Sequence, residues 1–597
     1  MSSTAIDLLA RRFAADSIIQ TTTAGSGHPT SSLSAAHLMA VLFDRYLRLF
    51  PDDPGNLAND RFVLSKGHGV PILYAALASI GVVDRDDLGT LRQEGSLLEG
   101  HPVPKVPHVD AATGSLGQGL ANGLGLALGL KILGSPARVW VMVGDSEMAE
   151  GSVWEALSLA SHYDLTNLVA ILDMNRLGQT GPTKHGRDAE LYERRVSAFG
   201  WNAISVDGHD PDAIGAAYEE AIETAPAMVI ASTIKGWGVD SVADAPGEHG
   251  KALSKEESSN ALEQLSPPPP RPIQVEEPVL FSQPELVAND YEYPAFSETV
   301  ATRDAFGKTL ESIVSADPRL VVLDAEVGNS TRTDSVEEQA EDRFLQMYIA
   351  EQAMIGAATG IQALGFIPIV STFSAFLTRA HDFLRMASIS GAQLVVNGSH
   401  AGVSIGEDGP SQMGLDDIAM MRGLFGSTVL YPADGPATAA LTGLAVTNDG
   451  ITYLRTTRED TPILDEPDDG FEIGGSRTLR RSDEDSAAVI AAGVTVFEAL
   501  EAADLVDQNV RVVDAYSIQP IDRETMRRAA HDTDRVVVVE DHGTVGGLGD
   551  AVTEAVSDLD TPVTKLGVSE WPGSASPEAQ REQAGIAARA IVEAIGN

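Results

Sequence analysis

Short apolar runs that do not alternate recur along the chain, separated by longer stretches of helical spacing. In the first 265 residues they are VWVMVGD (139–145), NLVAILDMN (167–175), NAISVDG (202–208) and AMVIAST (227–233), each closing on Asp, Asn, Gly or Thr. Runs buried on both faces, with helices between them, predict a parallel sheet covered on both sides. In such folds ligands gather at the carboxyl ends of the strands, and there this chain places its glycine-flanked polar residues. Residues 264–296, QLSPPPPRPIQVEEPVLFSQPELVANDYEYPAF, break the pattern. Four consecutive prolines prevent a helix or a ladder, so this stretch reads as an extended linker. A second αβ pattern follows from Ser297 to about 460, with RLVVLDA, PIVSTF, QLVVNGS and STVLYP, and a third from about 470, with AAVIAAG, VRVVDA, DRVVVVED and TPVTKLG. The predicted fold class is α/β: three consecutive three-layer αβα domains at 1–263, 297–465 and 466–597, the last one smaller, with the Pro-rich linker at 264–296.

A chain of 597 residues is several times the usual domain size, which agrees with three blocks. It has no cysteine, and this excludes a zinc ribbon, an iron–sulfur site, a thiol nucleophile and a disulfide framework. The first residues, MSSTAIDLLARRFAAD, lack the basic start and apolar stretch of a secretory signal. No run reaches the roughly 18 apolar residues of a membrane helix. The expectation is a cytoplasmic protein with no membrane contact. Acidic residues number 86 against 41 basic ones, nine of them Lys, for a net charge of −45. Such a charge repels nucleic acid and anionic membranes and strains a compact state unless salt screens it. It reads as the habit of a salt-adapted organism, and any cationic pocket has to be assembled from a few residues.

Gly144-Asp145-Ser146 closes one strand, and Asn175 closes the next, thirty residues after Asp145. An Asp and an Asn on adjacent strand ends can offer two hard oxygens to one ion. Mg²⁺ takes few protein oxygens, at about 2.0–2.1 Å, and completes its shell with phosphate oxygens. Between them Glu150-Gly151-Ser152 opens a helix whose N-terminal dipole favours an anion. The unit reads as a metal-bridged diphosphate site, or as a turn and a helix cap. Five of the thirteen histidines stand beside glycine or polar residues in motif-like settings: His28, His68, His101, His249 and His400. Imidazole is the side chain that exchanges protons near neutrality.

These segments belong to longer motifs: GSGHPTS (25–31), NDRFVLSKGHG (59–69), GHPVPK (100–105), ATGSLGQGL (112–120), YIAEQ (348–352), STFSAF (371–376), SHAGVSIGEDGPSQM (399–413) and YLRTTR (453–458). Together they resemble the transketolase family, thiamine-diphosphate enzymes of sugar-phosphate metabolism, from about residue 10 to 590. Gln179 and Gln412 match its shorter, animal-like branch.

The resemblance implies two thiamine-diphosphate-binding-type domains, diphosphate and Mg²⁺ on the first block and pyrimidine on the second, followed by a C-terminal domain. Asp145, Asn175 and the backbone oxygen of Leu177 would hold Mg²⁺, for which Ca²⁺, Mn²⁺ or a similar divalent ion could substitute. Gly114, Ser115, Leu116, Gly144, Glu150, His68, Gln179 and Lys235 match cofactor contacts. Phe376, with Phe373 nearby, matches the aromatic stacked on the pyrimidine ring. Glu351 matches the carboxylate that protonates the pyrimidine N1′, so that the cofactor's own imino group can remove the C2 proton. A carboxyl doing this near neutrality has to be drawn out of water. His249 and His28 match the proton-transfer residues of donor cleavage, and Ser31 and His101 match sugar contacts. Arg303, Ser330, His400 and Arg455 match the phosphate cluster, Asp408 a donor-hydroxyl contact and Gln412 a further substrate contact.

The implied activity is reversible transfer of a two-carbon ketol unit from a ketose phosphate such as xylulose 5-phosphate to an aldose phosphate such as ribose 5-phosphate. The implied assembly is a homodimer with its active sites at the subunit interface. A 1-deoxyxylulose-5-phosphate synthase is the alternative within enzymes, and a non-catalytic relative is the alternative outside them. Ser146 stands where the family usually has Gly, and the roles of Asp324 and Glu326 stay open.

Overall fold

The computed structural model describes residues 1–465 and 470–596, which fall into two compact units. The first comprises Met1–Glu285 with Ile355–Gly365 and Ile389–Gly391. Its sheet contains β1 (Arg61–Leu64), β2 (Val139–Gly144), β3 (Leu168–Met174), β4 (Asn202–Asp207) and β5 (Ala227–Ser232), in the order β1-β2-β3-β5-β4 and parallel throughout. Every residue of β2 and β3 is buried, while the edge strand β4 is half-exposed. Helix Gly119–Leu133 packs closely on this sheet. A Cβ at Gly123 would lie 2.3 Å from Val141 Cγ2, so only glycine permits that approach.

The second unit holds the remaining residues, with a seven-stranded, a five-stranded and a two-stranded sheet. In chain order its strands are β6 (Val300–Ala301), β7 (Leu320–Asp324), β8 (Phe344–Gln346), β9 (Ile367–Phe373), β10 (Leu394–Ser399), β11 (Thr428–Leu430), β12 (Ile451–Arg455) and β13 (Asp460–Thr461). They continue with β14 (Arg477–Arg480), β15 (Ala487–Ala491), β16 (Val510–Asp514), β17 (Ser517–Gln519), β18 (Arg535–Gly543) and β19 (Val563–Val568). The seven-stranded sheet runs β17-β11-β12-β10-β9-β7-β8 and the five-stranded one β14-β16-β15-β18-β19, each parallel except for one antiparallel edge strand, β17 or β14. The architecture is therefore α/β with three mainly parallel sheets, as expected. One arrangement was not anticipated: β17, from the third segment, closes the edge of the second segment's sheet, and Tyr431 N–H donates to Tyr516 O at 2.7 Å.

The Pro-rich stretch has no helix or extended strand between Leu265 and Val300. It is not a free spacer. Ile273 and Val275 are buried in the first unit, and Ile273 N–H donates to Ser79 O. Further on, Tyr291 OH donates to Asp317 in the second unit at 2.6 Å. The expected boundary at 466 abuts residues 466–469, outside the described residues. Among the described residues no helix is long and apolar enough to cross a membrane.

Candidate active site

In the first unit, the carboxyl ends of β1, β2, β3 and β5 deliver Lys66, Gly144, Asn175 and Lys235 to one cavity of about 360 Å³. Its foundation is Asp173, fully buried within β3. The Asp173 carboxylate accepts from Lys66 Nζ, Thr233 Oγ1, Ser34 Oγ at 2.6 Å and Asn175 Nδ2 at 3.2 Å. Burial works against its charge, but Lys66 and the hydroxyls hold Asp173 below the usual carboxylate range. Glu147 plays a similar part. It is buried and accepts from Gly117 N at 2.8 Å and Gly144 N at 3.0 Å, tying two turns of the cavity together. Sequence reasoning missed both; for Asp173 the available signal was an acid inside an apolar run, whereas Glu147 lies in a polar turn that gave none.

Asp145 accepts from Ser146 N at 2.9 Å, Arg176 N at 2.7 Å and Thr183 Oγ1 at 3.2 Å. Burial, with the charge of Asp173 second, pushes its carboxyl up to about 6. Asn175 Oδ1 accepts from Leu177 N, and Leu177 O accepts from Lys235 Nζ at 2.6 Å. The same ammonium lies 2.7 Å from His249 Nδ1. An ammonium only donates, so Nδ1 is the acceptor and His249 carries its proton on Nε2. His28, His68 and His249 form a triangle with ring centroids 4.9–5.1 Å apart. Burial first, then neighbouring cations, lowers all three, His28 and His249 to about 4. Three neutral imidazoles thus share one cavity. Burial likewise lowers Lys235 to about 8.

The residues present fit a Mg²⁺-bridged diphosphate. Asp145, Asn175 and the Leu177 carbonyl are all hard oxygen donors, which suit Mg²⁺ rather than a softer metal. Among the described residues no group of three or more His, Cys, Asp or Glu is placed to hold a metal ion, and here the protein offers one carboxylate and two amide-type oxygens, which a diphosphate's oxygens would complete. Ser31 Oγ and His28 Nδ1 are buried on the cavity without a partner. Gly114 (φ +128°) lets the 114–117 turn lie against His101, where a Cβ would meet His101 Cδ2 at 2.6 Å. His101, Leu116 and Gln179 also line the cavity. Ser115 and Glu150 do not; Glu150 is exposed at the N-cap of helix Gly151–His162. The Ser146 hydroxyl faces Gly178, at which a Cβ would approach it to 2.8 Å.

In the second unit the strand ends carry a second group. Glu351 opens helix Glu351–Gln362, is 4% exposed, and has Arg379 Nη1 at 3.6 Å. Phe373, at the end of β9, lies between Phe376 (5.3 Å, rings 6° apart) and His400 (4.1 Å, 13°) in a three-ring stack. Arg303 Nη1 donates to His400 Nε2 at 2.9 Å and to Ser330 O at 3.3 Å, and its buried Nε makes no hydrogen bond, with Asp304 at 3.9 Å. Burial and then Arg303 lower His400 to about 3, so it is a neutral acceptor. Asp324 is a buried carboxylate that takes Val327 N and the hydroxyls of Thr331 and Thr333, shaping the turn that presents Ser330. Glu326 sits in that turn at φ +62°. Asp408 is 3.3 Å from Arg458 Nη1, and Gln412 is half-buried in the turn that follows it.

Arg455 does not join this group, against expectation. It is the last residue of β12, fully buried, with Nε 2.8 Å from Asp417 and Nη1 2.7 Å from Asp541. Nη2 donates to Gly414 O and Asp541 O, and the guanidinium lies 4.4 Å over the Tyr431 ring. Burial opposes its charge, but the two carboxylates hold Arg455 well above its usual value. It fastens β12 to the third segment, and its complete burial between the two carboxylates keeps it from a phosphate. Arg458 in the same motif, which sequence reasoning did not single out, donates to Ile405 O, is 42% exposed and, with Arg303, places positive charge on His400. Arg455→Ala is expected to cost about 3–5 kcal/mol, because it strands two buried carboxylates. A urea midpoint unchanged from the parent protein would contradict that role.

Three family models match the chain: the thiamine diphosphate binding domain of transketolase at residues 3–304, its pyrimidine binding domain at 298–463 and its C-terminal domain at 476–591. The human transketolase is 43% identical over 98% of this chain and 96% of its own. The bovine transketolase-like protein 1 is 39% identical over 98% and 95%. Among solved structures, the Campylobacter jejuni transketolase superposes with a TM-score of 0.89 at 24% identity, covering 100% of both chains. A Pichia stipitis transketolase in complex with sedoheptulose 7-phosphate gives 0.86 at 24% identity, covering 100% of this chain and 97% of that one.

Proposed function

Because this chain belongs to the transketolase family, we propose that its two groups of strand-end residues carry the two halves of ketol transfer. The chain is a transferase: it moves a two-carbon ketol unit reversibly from a ketose phosphate, such as xylulose 5-phosphate, to an aldose phosphate, such as ribose 5-phosphate. The observation that best supports the residue assignment is the single cavity holding Asp145, Asn175 and the Leu177 carbonyl beside three neutral imidazoles.

Thiamine diphosphate, when bound, supplies the electron sink that ketol cleavage needs. Asp145, Asn175 and Leu177 would hold a divalent ion on its diphosphate. Glu351 would hold a proton at the pyrimidine N1′, and Phe376 would lie against that ring. His28 and His249, neutral and adjacent, would accept the donor's hydroxyl proton and return it to the acceptor; His68, His101 and Ser31 would orient the sugar. Arg303, His400, Ser330 and Arg458 would take the phosphate. Blocks at 1–263, 297–465 and 466–597 would divide these tasks, with no active-site residue in the last.

We extend the reading to a homodimer, because Tyr348 and Ile349 beside Glu351 are 39% and 69% exposed in the single chain. Pentose phosphate metabolism in the cytoplasm, the shorter animal-like branch and a salt-adapted source complete the proposal. The charge of −45 supports the last of these, and thermal stability is expected to rise with KCl into the molar range. A maximum in dilute buffer would oppose it.

The direct experiment offers xylulose 5-phosphate and ribose 5-phosphate with Mg²⁺ and thiamine diphosphate in high salt. Cofactor-dependent sedoheptulose 7-phosphate is the expected product. Carbon dioxide from pyruvate and glyceraldehyde 3-phosphate, without ketol transfer, would favour the synthase alternative. Arg458→Ala should raise KM for phosphorylated acceptors about tenfold or more, the worth of one charge-assisted hydrogen bond, and spare unphosphorylated aldehydes. Equal effects on both would remove Arg458 from the phosphate end.

A further inference from the structure

A second cavity of about 320 Å³ in the first unit also reaches Asp145, and the family reaction leaves it without a task. Two of its walls are aromatic: Trp154 and Phe199 stand with ring centroids 5.2 Å apart at 45°. The Trp154 indole N–H donates to Met148 O at 3.0 Å, which fixes that ring. Tyr192, 1% exposed, lies deepest and donates its hydroxyl to Asp145 O at 3.2 Å. The cavity's basic residues are Lys184, His185 and Arg195. Arg195 Nη1 lies 2.7 Å from His185 Nε2. A guanidinium only donates, so His185 keeps its ring proton on Nδ1, as a further donor.

This gathering of donors runs against the character of the chain. Acids outnumber bases 86 to 41, yet neither Lys184 nor Arg195 is in an ion pair among the described residues. The one carboxylate on the lining is Asp145, whose oxygens are engaged by Ser146 N, Arg176 N and Thr183 Oγ1. An aromatic-walled cavity with unpaired cations and no free carboxylate is complementary to a flat ring that carries negative charge. Its size is at the lower end of small-molecule sites, about 300–1,000 Å³, enough for one or two rings.

We propose that this second cavity is a binding site for a planar aromatic anion, held with its rings against Trp154 and Phe199 and its anionic group on Lys184, Arg195 and His185. Occupancy is coupled to the cofactor cavity. Thr183, whose hydroxyl holds Asp145, directly precedes Lys184 and His185, so an anion that fixes those two side chains also fixes the segment that positions Asp145. Coupling of this kind is reciprocal. The coupling, unlike the binding, rests on assigning Asp145 to the metal.

The test uses 1-anilinonaphthalene-8-sulfonate as the probe, titrated onto the protein saturated with Mg²⁺ and thiamine diphosphate. Saturable binding is expected, with energy transfer on tryptophan excitation. Trp154→Phe should reduce that transfer by more than Trp201→Phe does, with little change in affinity. Lys184→Ala/Arg195→Ala should weaken binding at least tenfold with an unchanged circular dichroism spectrum. The uncharged N-phenyl-1-naphthylamine, with the same rings, should bind at least tenfold more weakly than the sulfonate. Affinity unmoved by the double substitution, transfer undiminished without Trp154, or equal affinity for the uncharged ring would each overturn the site. Mg²⁺ affinity measured with and without saturating probe reads the coupling separately; no shift there removes the coupling and leaves the site.

Discussion

Glu351→Gln should lower ketol transfer by about 10²–10⁴-fold, the usual worth of a positioned proton donor, while the protein stays folded. The amide keeps the volume and the hydrogen-bonding capacity of the carboxyl but cannot pass a proton to a ring nitrogen. Glu351 is 4% exposed, so bulk water cannot substitute for it in place. Its ion partner Arg379 is 66% exposed at 3.6 Å, a geometry that contributes little to stability. At the first position of helix Glu351–Gln362 the lost negative charge costs about 0.3–1 kcal/mol. The melting temperature should therefore move by a few degrees at most, while kcat at saturating cofactor collapses. A variant that turns over within a few-fold of the parent would remove Glu351 from the proton path.

The second large effect is expected at the other end of the cofactor. Asp145→Ala should raise the Mg²⁺ concentration needed for half-maximal activity by about 100-fold or more, because losing even an outer partner of a ligand typically costs about 10–100-fold. The substitution also leaves Arg176 N and Thr183 Oγ1 without their acceptor, so the 176–183 turn loosens and thiamine diphosphate should bind more weakly. Calorimetric titration of Mg²⁺ at fixed cofactor separates the two contributions. Half-saturation equal to that of the parent protein would exclude Asp145 as a ligand.

Much of the fold was readable because the strands of a doubly covered parallel sheet are continuous apolar runs. VWVMVGD and NLVAILDMN became β2 and β3 almost to the residue. RFVL was read only as part of a motif, and it proved to be β1. The strand β17 is three residues long, and what it pairs with is decided by β11, about ninety residues earlier. No local pattern reports that. The reading of the candidate site grouped residues that line one cavity where chemistry and backbone coincide, as at Asp145, Asn175 and the glycine-flanked histidines. It failed where the answer depends on distant partners. Arg455 and Arg458 are three residues apart in one motif, and only Asp417 and Asp541 decide that the first of them is buried. Asp173 and Glu147 escaped notice because their task is to hold other side chains and backbone turns in place.

The placement of β17 bears on how this molecule can be inherited and engineered. The second segment's sheet is complete only when a strand from the third lies along β11, and Arg455 is satisfied only when Asp541 of the third is present. A gene ending after residue 465 would encode a sheet with an open edge, a ready template for self-association, and a buried guanidinium short of one carboxylate. Recombination could not exchange the last third for an unrelated module without rebuilding that edge. A C-terminal segment with no assigned chemistry is thus kept with its neighbour by the completeness of a shared sheet.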